Sequence, residues 1–323
     1  MHRVAVLVVP PATAFDLSIP ELVFGAVQVD DAPGYEVRVG TPEPGLVETL
    51  GSLQVSIPHG LDIVDTADTV IVTGTGARSD ADPRVLDAVR RAAETGSRIA
   101  SICTGAFVLA QAGLLDGRRA TTYWPFSGEL AARFPEVDVV GDVLFVEDGH
   151  VFTAAGLAAG MDLCLHLIRS DYGAAVANAV ARLTLLAPTR TGDQTQTVTS
   201  PVPSTRTFSL AETRAWAMDR LDEPLTLAEL AEHAHTSVRT LTRRFQAETG
   251  LTALQWLLQQ RVDRACELLE TTTLPVDQVA ERSGLGSPDS LRQHLLRRVR
   301  LTPTAYRARW RGTTAARRAA SRG

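Results

Sequence analysis

Hydrophobic and polar positions divide this chain into two rhythms. Through the first half, short apolar runs alternate with stretches whose apolar residues recur every three or four positions. The runs at residues 3–9, 35–40, 69–74, 98–103, 137–140 and 151–153 read as strands, with Gly149 turning a hairpin before the last. Run 3–9 is continuously apolar, as in a strand covered on both faces. Ser18-Ile19-Pro20-Glu21 has the form of a capping box with proline in the first turn, and predicts a helix through Val29. In residues 83–95, Val85, Ala88, Val89 and Ala92 line one helical face. Further helices are expected at 104–112, 160–171 and 174–186. Such alternation predicts a mostly parallel sheet with helices on both faces.

The second half is helical throughout. Leu227, Leu230, Ala231 and Ala234 form one apolar face, and His235-Thr236 interrupts it. Ser237 then caps a second helix. There Leu241 and Phe245 point inward, Arg239, Thr242 and Arg243 share the outer face, and Gly250 ends the helix. The arrangement repeats. Val276, Val279 and Ala280 make a short helix, and Gly284 and Gly286 a turn. Ser287 caps a further helix with Pro288 at its first position. Leu291, Leu295 and Val299 face inward there, while Asp289, Arg292 and Gln293 face out. Apolar residues from Leu254 to Leu269 predict one connecting helix of about five turns. Two short helices with cationic and amide outer faces, held on a rod, suit successive major grooves of duplex DNA.

Residues 187–206 are rich in Thr, Pro and Gln and read as an exposed linker. The expected division is 1–187, a linker at 188–206, a helical domain at 207–311 and a disordered tail at 312–323. The net charge of −5 hides an asymmetry. Residues 1–206 hold 14 Arg against 24 acidic side chains, and residues 207–323 hold 18 Arg against 13. A polyanion partner therefore belongs to the second half. Three cysteines without metal-ligand spacing argue against a disulfide framework or metal centre, and for a reducing cytoplasm. No apolar run approaches the roughly 18 residues of a membrane span.

Candidate chemistry in the first half gathers at strand ends, where ligands bind in such sheets. Cys103 closes a strand and opens a helix, whose N-terminus favours thiolate. Gly74-Thr75-Gly76 follows another strand and offers backbone N–H groups to an oxyanion. Asp16 follows the first strand, with Ser18 left to cap the helix. Singly, each has a plainer reading: a buried small apolar residue, a turn, a solvated loop acid. Their convergence favours a pocket. Cys164 and Cys266 lie on apolar helix faces and read as core.

Two resemblances follow from these motifs. Ser237–Phe245 has the form S-x-R-x-L-x-R-x-F, Gly284–Ser290 the form G-x-G-S-P-x-S, and residues 301–307 the form L-T-P-x-x-Y-R. Residues 208–311 thereby resemble the AraC/XylS family of transcription regulators, with Leu285 and Leu295 where that family commonly has Phe. The first half carries Phe15-Asp16-Leu17 with Pro20-Glu21, Gly74-Thr75-Gly76, Ser101-Ile102-Cys103-Thr104-Gly105, Ala120-Thr121-Thr122-Tyr123-Trp124 and Thr153-Ala154-Ala155-Gly156. Residues 3–187 thereby resemble the ThiJ/PfpI superfamily, related to class I glutamine amidotransferases. That resemblance implies a flavodoxin-like fold, a reactive Cys103, and an Asp16 that hydrogen-bonds to it. Hydrolases of the superfamily commonly have His at the positions of Thr104 and Tyr123, so a Cys–His pair is missing here.

The resemblances imply a cytoplasmic regulator and not an enzyme. Its first domain would bind a small metabolite, with nitrogen-containing molecules among the candidates, through Asp16, Gly74, Thr75, Gly76, Cys103, Thr104, Tyr123 and Gly156. That domain would also form a homodimer. The second domain would read operator DNA through Arg239, Thr242, Arg243, Asp289, Arg292 and Gln293, and activate transcription with RNA polymerase. No cofactor, metal or membrane partner is expected. The alternatives are a cysteine-dependent hydratase or amidase of the isocyanide hydratase type, and a thiol redox sensor.

Overall fold

A computed structural model describes residues 1–184, 192, 194, 196, 210–249 and 251–310. The chain separates into two compact units. The first comprises residues 1–168 and 176–197, and the second residues 169–175 and 198–323.

The first unit is built on a six-stranded sheet. In chain order its strands are β1 (His2–Leu7), β4 (Tyr35–Gly40), β7 (Thr69–Val72), β8 (Arg98–Ile102), β11 (Phe145–Asp148) and β12 (Val151–Ala154). Their spatial order is β11-β12-β8-β7-β1-β4. All neighbours run parallel except β11 and β12, which form the hairpin that Gly149 turns at φ +64°. Smaller pairs are β2 (Gln28–Val29) with β3 (Ala32–Pro33), β5 (Gly45–Glu48) with β6 (Gln54–Ile57), and β9 (Arg119–Ala120) with β10 (Asp138–Val139). The helices of this unit are α1 (Ala14–Gly25), α2 (Pro83–Glu94), α3 (Gly105–Gln111), α4 (Ser127–Arg133) and most of α5 (Ala158–Tyr172) and α6 (Ala174–Leu183), with residues 169–175 falling in the second unit. The expected face of α2 is buried through Val85, Ala88, Val89 and Ala92, and Asp82 caps it by accepting from the Arg84 amide at 2.8 Å.

Three expectations change here. Helix α1 begins at Ala14, not Ser18, so Asp16 lies in its first turn and Pro20 inside it. Tertiary bonds decide this. Thr13 N–H donates to the Gly74 carbonyl, and Ala12 N–H to the Glu48 carbonyl, which fixes the chain just before the helix. The Ser18 hydroxyl donates back to the Phe15 carbonyl at 2.8 Å instead of capping. The run at 137–140 joins the small β9–β10 pair, so the hairpin partner of β12 is the unforeseen β11. Of the stretch expected to be an exposed linker, the described residues Gly192, Gln194 and Gln196 lie against the first unit. Leu144 N–H donates to the Gly192 and Gln194 carbonyls. The rest of that stretch, Gly250 and the 312–323 tail lie outside the described residues.

The second unit holds α7 (Ala211–Met218), α8 (Leu227–His233), α9 (Val238–Thr249), α10 (Ala253–Thr271), α11 (Val276–Arg282) and α12 (Pro288–Val299), then a helix at 303–310. Capping boxes open α8 (Thr226 with Glu229) and α10 (Thr252 with Gln255), and Ser287 caps α12. Its apolar residues form two separate cores. One contains Leu221, Leu230, Leu241, Phe245 and Leu257; the other contains Val262, Leu269, Val279, Leu291, Leu295 and Tyr306. Helix α10 contributes to both.

Candidate functional site

Four neighbouring parallel strands each deliver one part of a site. Reading across β12, β8, β7 and β1, the residues just past their ends include Gly156, Cys103, Gly74 and, within α1, Asp16. Cys103 sits at φ +59°, a left-handed conformation that costs a non-glycine residue roughly 1–2 kcal/mol. Three contacts hold it there. Its N–H donates to the Ala154 carbonyl at 2.9 Å, its carbonyl accepts from the Thr122 hydroxyl at 2.9 Å, and Gly156 presses against its side chain. A Cβ on Gly156 would lie 2.4 Å from Cys103 Cβ, so only glycine allows this approach, and its φ of +93° also suits glycine. Gly105 plays the same part on the other side, where a Cβ would meet the Val72 carbonyl oxygen at 2.2 Å.

Asp16 is fully buried. Its Oδ1 accepts from the Leu157 amide at 2.9 Å. Its Oδ2 has no hydrogen-bond partner among the described residues and would lie 2.4 Å from a Cβ on Gly74, while the carboxyl as a whole neighbours the Cys103 thiol. Burial raises the Asp16 carboxyl above the usual range, against the lowering influence of the Leu157 amide and of Cys103. Burial, then the neighbouring Asp16 charge, pushes the Cys103 thiol up to about 12, against a lowering by the Thr104 amide. The helix N-terminus favours thiolate and an ionised Asp16 opposes it; α3 is only seven residues long, and burial together with the Asp16 charge outweighs it.

The oxyanion expectation also changes. The Thr104 hydroxyl does not cap α3; it accepts from Thr75 N–H at 2.8 Å and donates to the Thr75 carbonyl at 2.7 Å. Gly76 N–H donates to the Pro11 carbonyl at 2.8 Å. Two of the three amides in Gly74-Thr75-Gly76 thus have acceptors within the protein, and Thr75 and Thr104 bond to each other across the site. Tyr123 is half-buried, in edge contact with the rings of Trp124 and Phe126. Trp124, Phe15 and Leu157 are large apolar side chains left about half exposed.

Leu157 and Gln196 were not foreseen. Gln196 Oε1 accepts from the Trp124 amide at 2.8 Å, and its Nε2 reaches the carbonyls of Thr122 and Val143 at 3.0 and 2.8 Å. It therefore holds the segment whose Thr122 holds Cys103. Nothing in local sequence marks it, since its partners lie 53 to 75 residues away. Cys164 and Cys266 are buried in core, as expected. Among the described residues no group of His, Cys, Asp or Glu is placed to hold a metal, and no helix is long and apolar enough to cross a membrane.

In the second unit, Arg239, Thr242 and Arg243 are all exposed on α9, opposite the buried Leu241 and Phe245. Asp289, Arg292 and Gln293 are exposed on α12, opposite Leu291 and Leu295. Thr242 departs in one respect: its hydroxyl donates to the Val238 carbonyl at 2.8 Å, so its proton is already engaged within the helix.

Residues 2–170 match the DJ-1/PfpI family, and residues 230–309 match a helix-turn-helix domain. The transcriptional regulator CdhR of Pseudomonas aeruginosa is 30% identical over 278 residues, spanning 85% of this chain and 82% of its own. The regulator GbdR of the same species is 31% identical over 237 residues, 73% of this chain; the match spans 64% of GbdR's length. Isonitrile hydratase of Pseudomonas putida is 32% identical over 198 residues, 57% of this chain and 85% of its own.

Proposed function

This chain belongs to the DJ-1/PfpI family and carries an AraC-type helix-turn-helix domain, and from that premise we propose that it is a sequence-specific DNA-binding transcription regulator. The observation that carries the reading is the pair α9 and α12. Each is a short helix closing a two-helix unit, each buries one apolar stripe, and each leaves arginine with a neutral polar or amide side chain facing out. Arg239, Thr242 and Arg243 would read one half-site, and Asp289, Arg292 and Gln293 the next, one helical turn away. The excess of arginine over acidic residues in 207–323 supplies the phosphate attraction.

In this reading the first unit senses a small, nitrogen-containing metabolite near Asp16 and Cys103 and forms a homodimer. The protein then acts in the cytoplasm, activating transcription with RNA polymerase. Sensing is favoured over turnover because burial and Asp16 raise the Cys103 thiol well above its ordinary value, and Thr104 and Tyr123 stand where hydrolases of the superfamily commonly have His. The similarity to isonitrile hydratase supports a second reading, in which Cys103 acts on a substrate. Selection from a library of random duplex DNA tests the first reading, and enrichment of a two-part motif is expected. No enrichment, together with multiple turnover of an isonitrile by wild type but not by Cys103→Ser, would support the second.

A further inference from the structure

The two cores of the second unit share no apolar residue off helix α10, so their mutual placement depends on what joins them. Leu257 belongs to the core around α8 and α9, and Val262 to the core around α11 and α12. Arg261 lies between these positions. Its Nε donates to the Leu221 carbonyl at 2.9 Å, and its Nη2 to the Glu223 carbonyl at 2.6 Å. Leu221 is itself part of the first core.

The turn between α11 and α12 meets the same point. Gly284 has φ +74°, and a Cβ there would lie 1.8 Å from the Leu221 carbonyl oxygen and 2.6 Å from Arg261 Nε. Flanking it, Ala280 and Leu285 belong to the second core. One carbonyl of the first helix-turn-helix half thus touches the turn of the second, with the Arg261 guanidinium bonded to it. A guanidinium fork is well matched to this joint, because two donors in fixed geometry reach two carbonyls, where an ammonium would act as a single point. Its partners are neutral carbonyls, so it does not serve as one half of an ion pair.

We propose that Arg261 is a positioning residue for DNA recognition. By clamping the Leu221 and Glu223 carbonyls onto α10 and against Gly284, it fixes how far apart and at what relative turn α9 and α12 stand. The spacing between half-sites that the protein accepts is then set by this joint, while the bases within each half-site are set by the outward side chains. This rests on the DNA-reading function proposed above.

The test uses the full chain and a random-sequence duplex library. Wild type, Arg261→Met and Arg261→Lys are each put through selection, and half-site sequences and spacings are scored separately. Affinity is then measured for the wild-type motif and for the same motif with one base pair inserted between half-sites. Wild type is expected to prefer its own spacing by about tenfold or more, a difference of roughly 1.4 kcal/mol. Arg261→Met should select the same half-site sequences over a broadened range of spacings, with that preference falling to under about threefold. Arg261→Lys, which keeps the charge and stem, should fall between. If Arg261→Met does not fold, the lysine variant decides. Wild-type spacing preference in the folded variants, or an equal loss of affinity at every spacing, would overturn the proposal and leave Arg261 a stabilising residue only. A wild type that enriches no sequence would sink the joint and the DNA-reading function together, whereas sharp spacing in every protein would sink the joint alone.

Discussion

Thr104 and Thr75 bond to each other twice: the Thr104 hydroxyl accepts from Thr75 N–H at 2.8 Å and donates to the Thr75 carbonyl at 2.7 Å. Both residues are buried. The pair ties the loop after β7 to the residue after Cys103, so it holds the Cys103 turn against its neighbouring strand end. Thr104→Val keeps the shape and removes both bonds, leaving a buried donor and a buried acceptor. We expect the first unit to lose about 2 kcal/mol, the usual cost of stranded buried polar groups. Thr104→Ser should lose much less. Denaturant unfolding checks this, and a valine variant as stable as wild type would show that the pair braces nothing.

The Asp16–Cys103 pair predicts an inert thiol. With Cys103 pushed up to about 12, its thiolate fraction rises tenfold per pH unit without levelling off across pH 7–10. The rate of iodoacetamide modification at Cys103, followed by peptide mass spectrometry, should rise the same way. Asp16→Asn removes the neighbouring charge, so modification should be several-fold faster at each pH. A rate that bends toward a plateau as pH passes 9.0 would mean a thiol of ordinary acidity. The stability consequence has a definite sign. An unfolded chain ionises this thiol near its ordinary value of 9.0, while the folded one holds its proton to about 12. Stability from this group is therefore intact below pH 9 and is lost as pH rises through that window.

For the reading helices, Arg243→Ala or Arg292→Ala should weaken operator binding by about 1–3 kcal/mol and relax the base preference at one position. An exposed arginine that touches phosphate alone would weaken all sequences alike and reduce the salt dependence instead. Repeating the selection with each variant separates the two outcomes. An unchanged motif and affinity would remove that residue from the interface.

Much of this arrangement was legible in the sequence, for identifiable reasons. Cys103 and Gly74 lie just past neighbouring strand ends as expected, because apolar runs mark strands and parallel sheets present their loops at one edge, whereas Asp16 reaches the same edge from the first turn of α1 and not from the loop before it. The outward residues of α9 and α12 were legible because their positions follow from the inward ones by helical geometry alone. What stayed hidden depends on partners remote in sequence. The Leu157 amide meets Asp16 across 141 residues, and the bonds from Thr13 and Ala12 to Gly74 and Glu48 move the start of α1 away from its best local cap. The β5–β6 pair escaped because its residues are mostly exposed, so no apolar rhythm marks it. The tie between Arg261 and the Leu221 and Glu223 carbonyls escaped because it is made to backbone, which carries no sequence signal.

Gln196 supplies a last expectation. Its side chain satisfies the Trp124 amide on one side and the Thr122 and Val143 carbonyls on the other, and its own amide donates to Asp142 Oδ1 at 2.9 Å. Because Thr122 in turn donates to the Cys103 carbonyl, the residue braces the wall of the candidate pocket. In the full chain, Gln196→Ala should speed hydrogen exchange at the Trp124 amide and lower the melting temperature of the first unit. Gln196→Glu is the sharper test. It keeps the acceptor for Trp124 but replaces the donating amide with a carboxylate facing two carbonyl oxygens. Such a group is held above its ordinary pKa, since only the protonated acid can donate to those carbonyls. Its folded form therefore binds a proton that the unfolded chain has already released, and stability must increase as pH falls through that interval. Gln196→Glu should be less stable than Gln196→Ala at neutral pH and recover relative to it in mild acid. Melting temperatures of the two variants, measured side by side from neutral to mildly acidic pH, check the sign. A constant difference between them would mean that Gln196 Nε2 does not hold the Thr122 and Val143 carbonyls in solution.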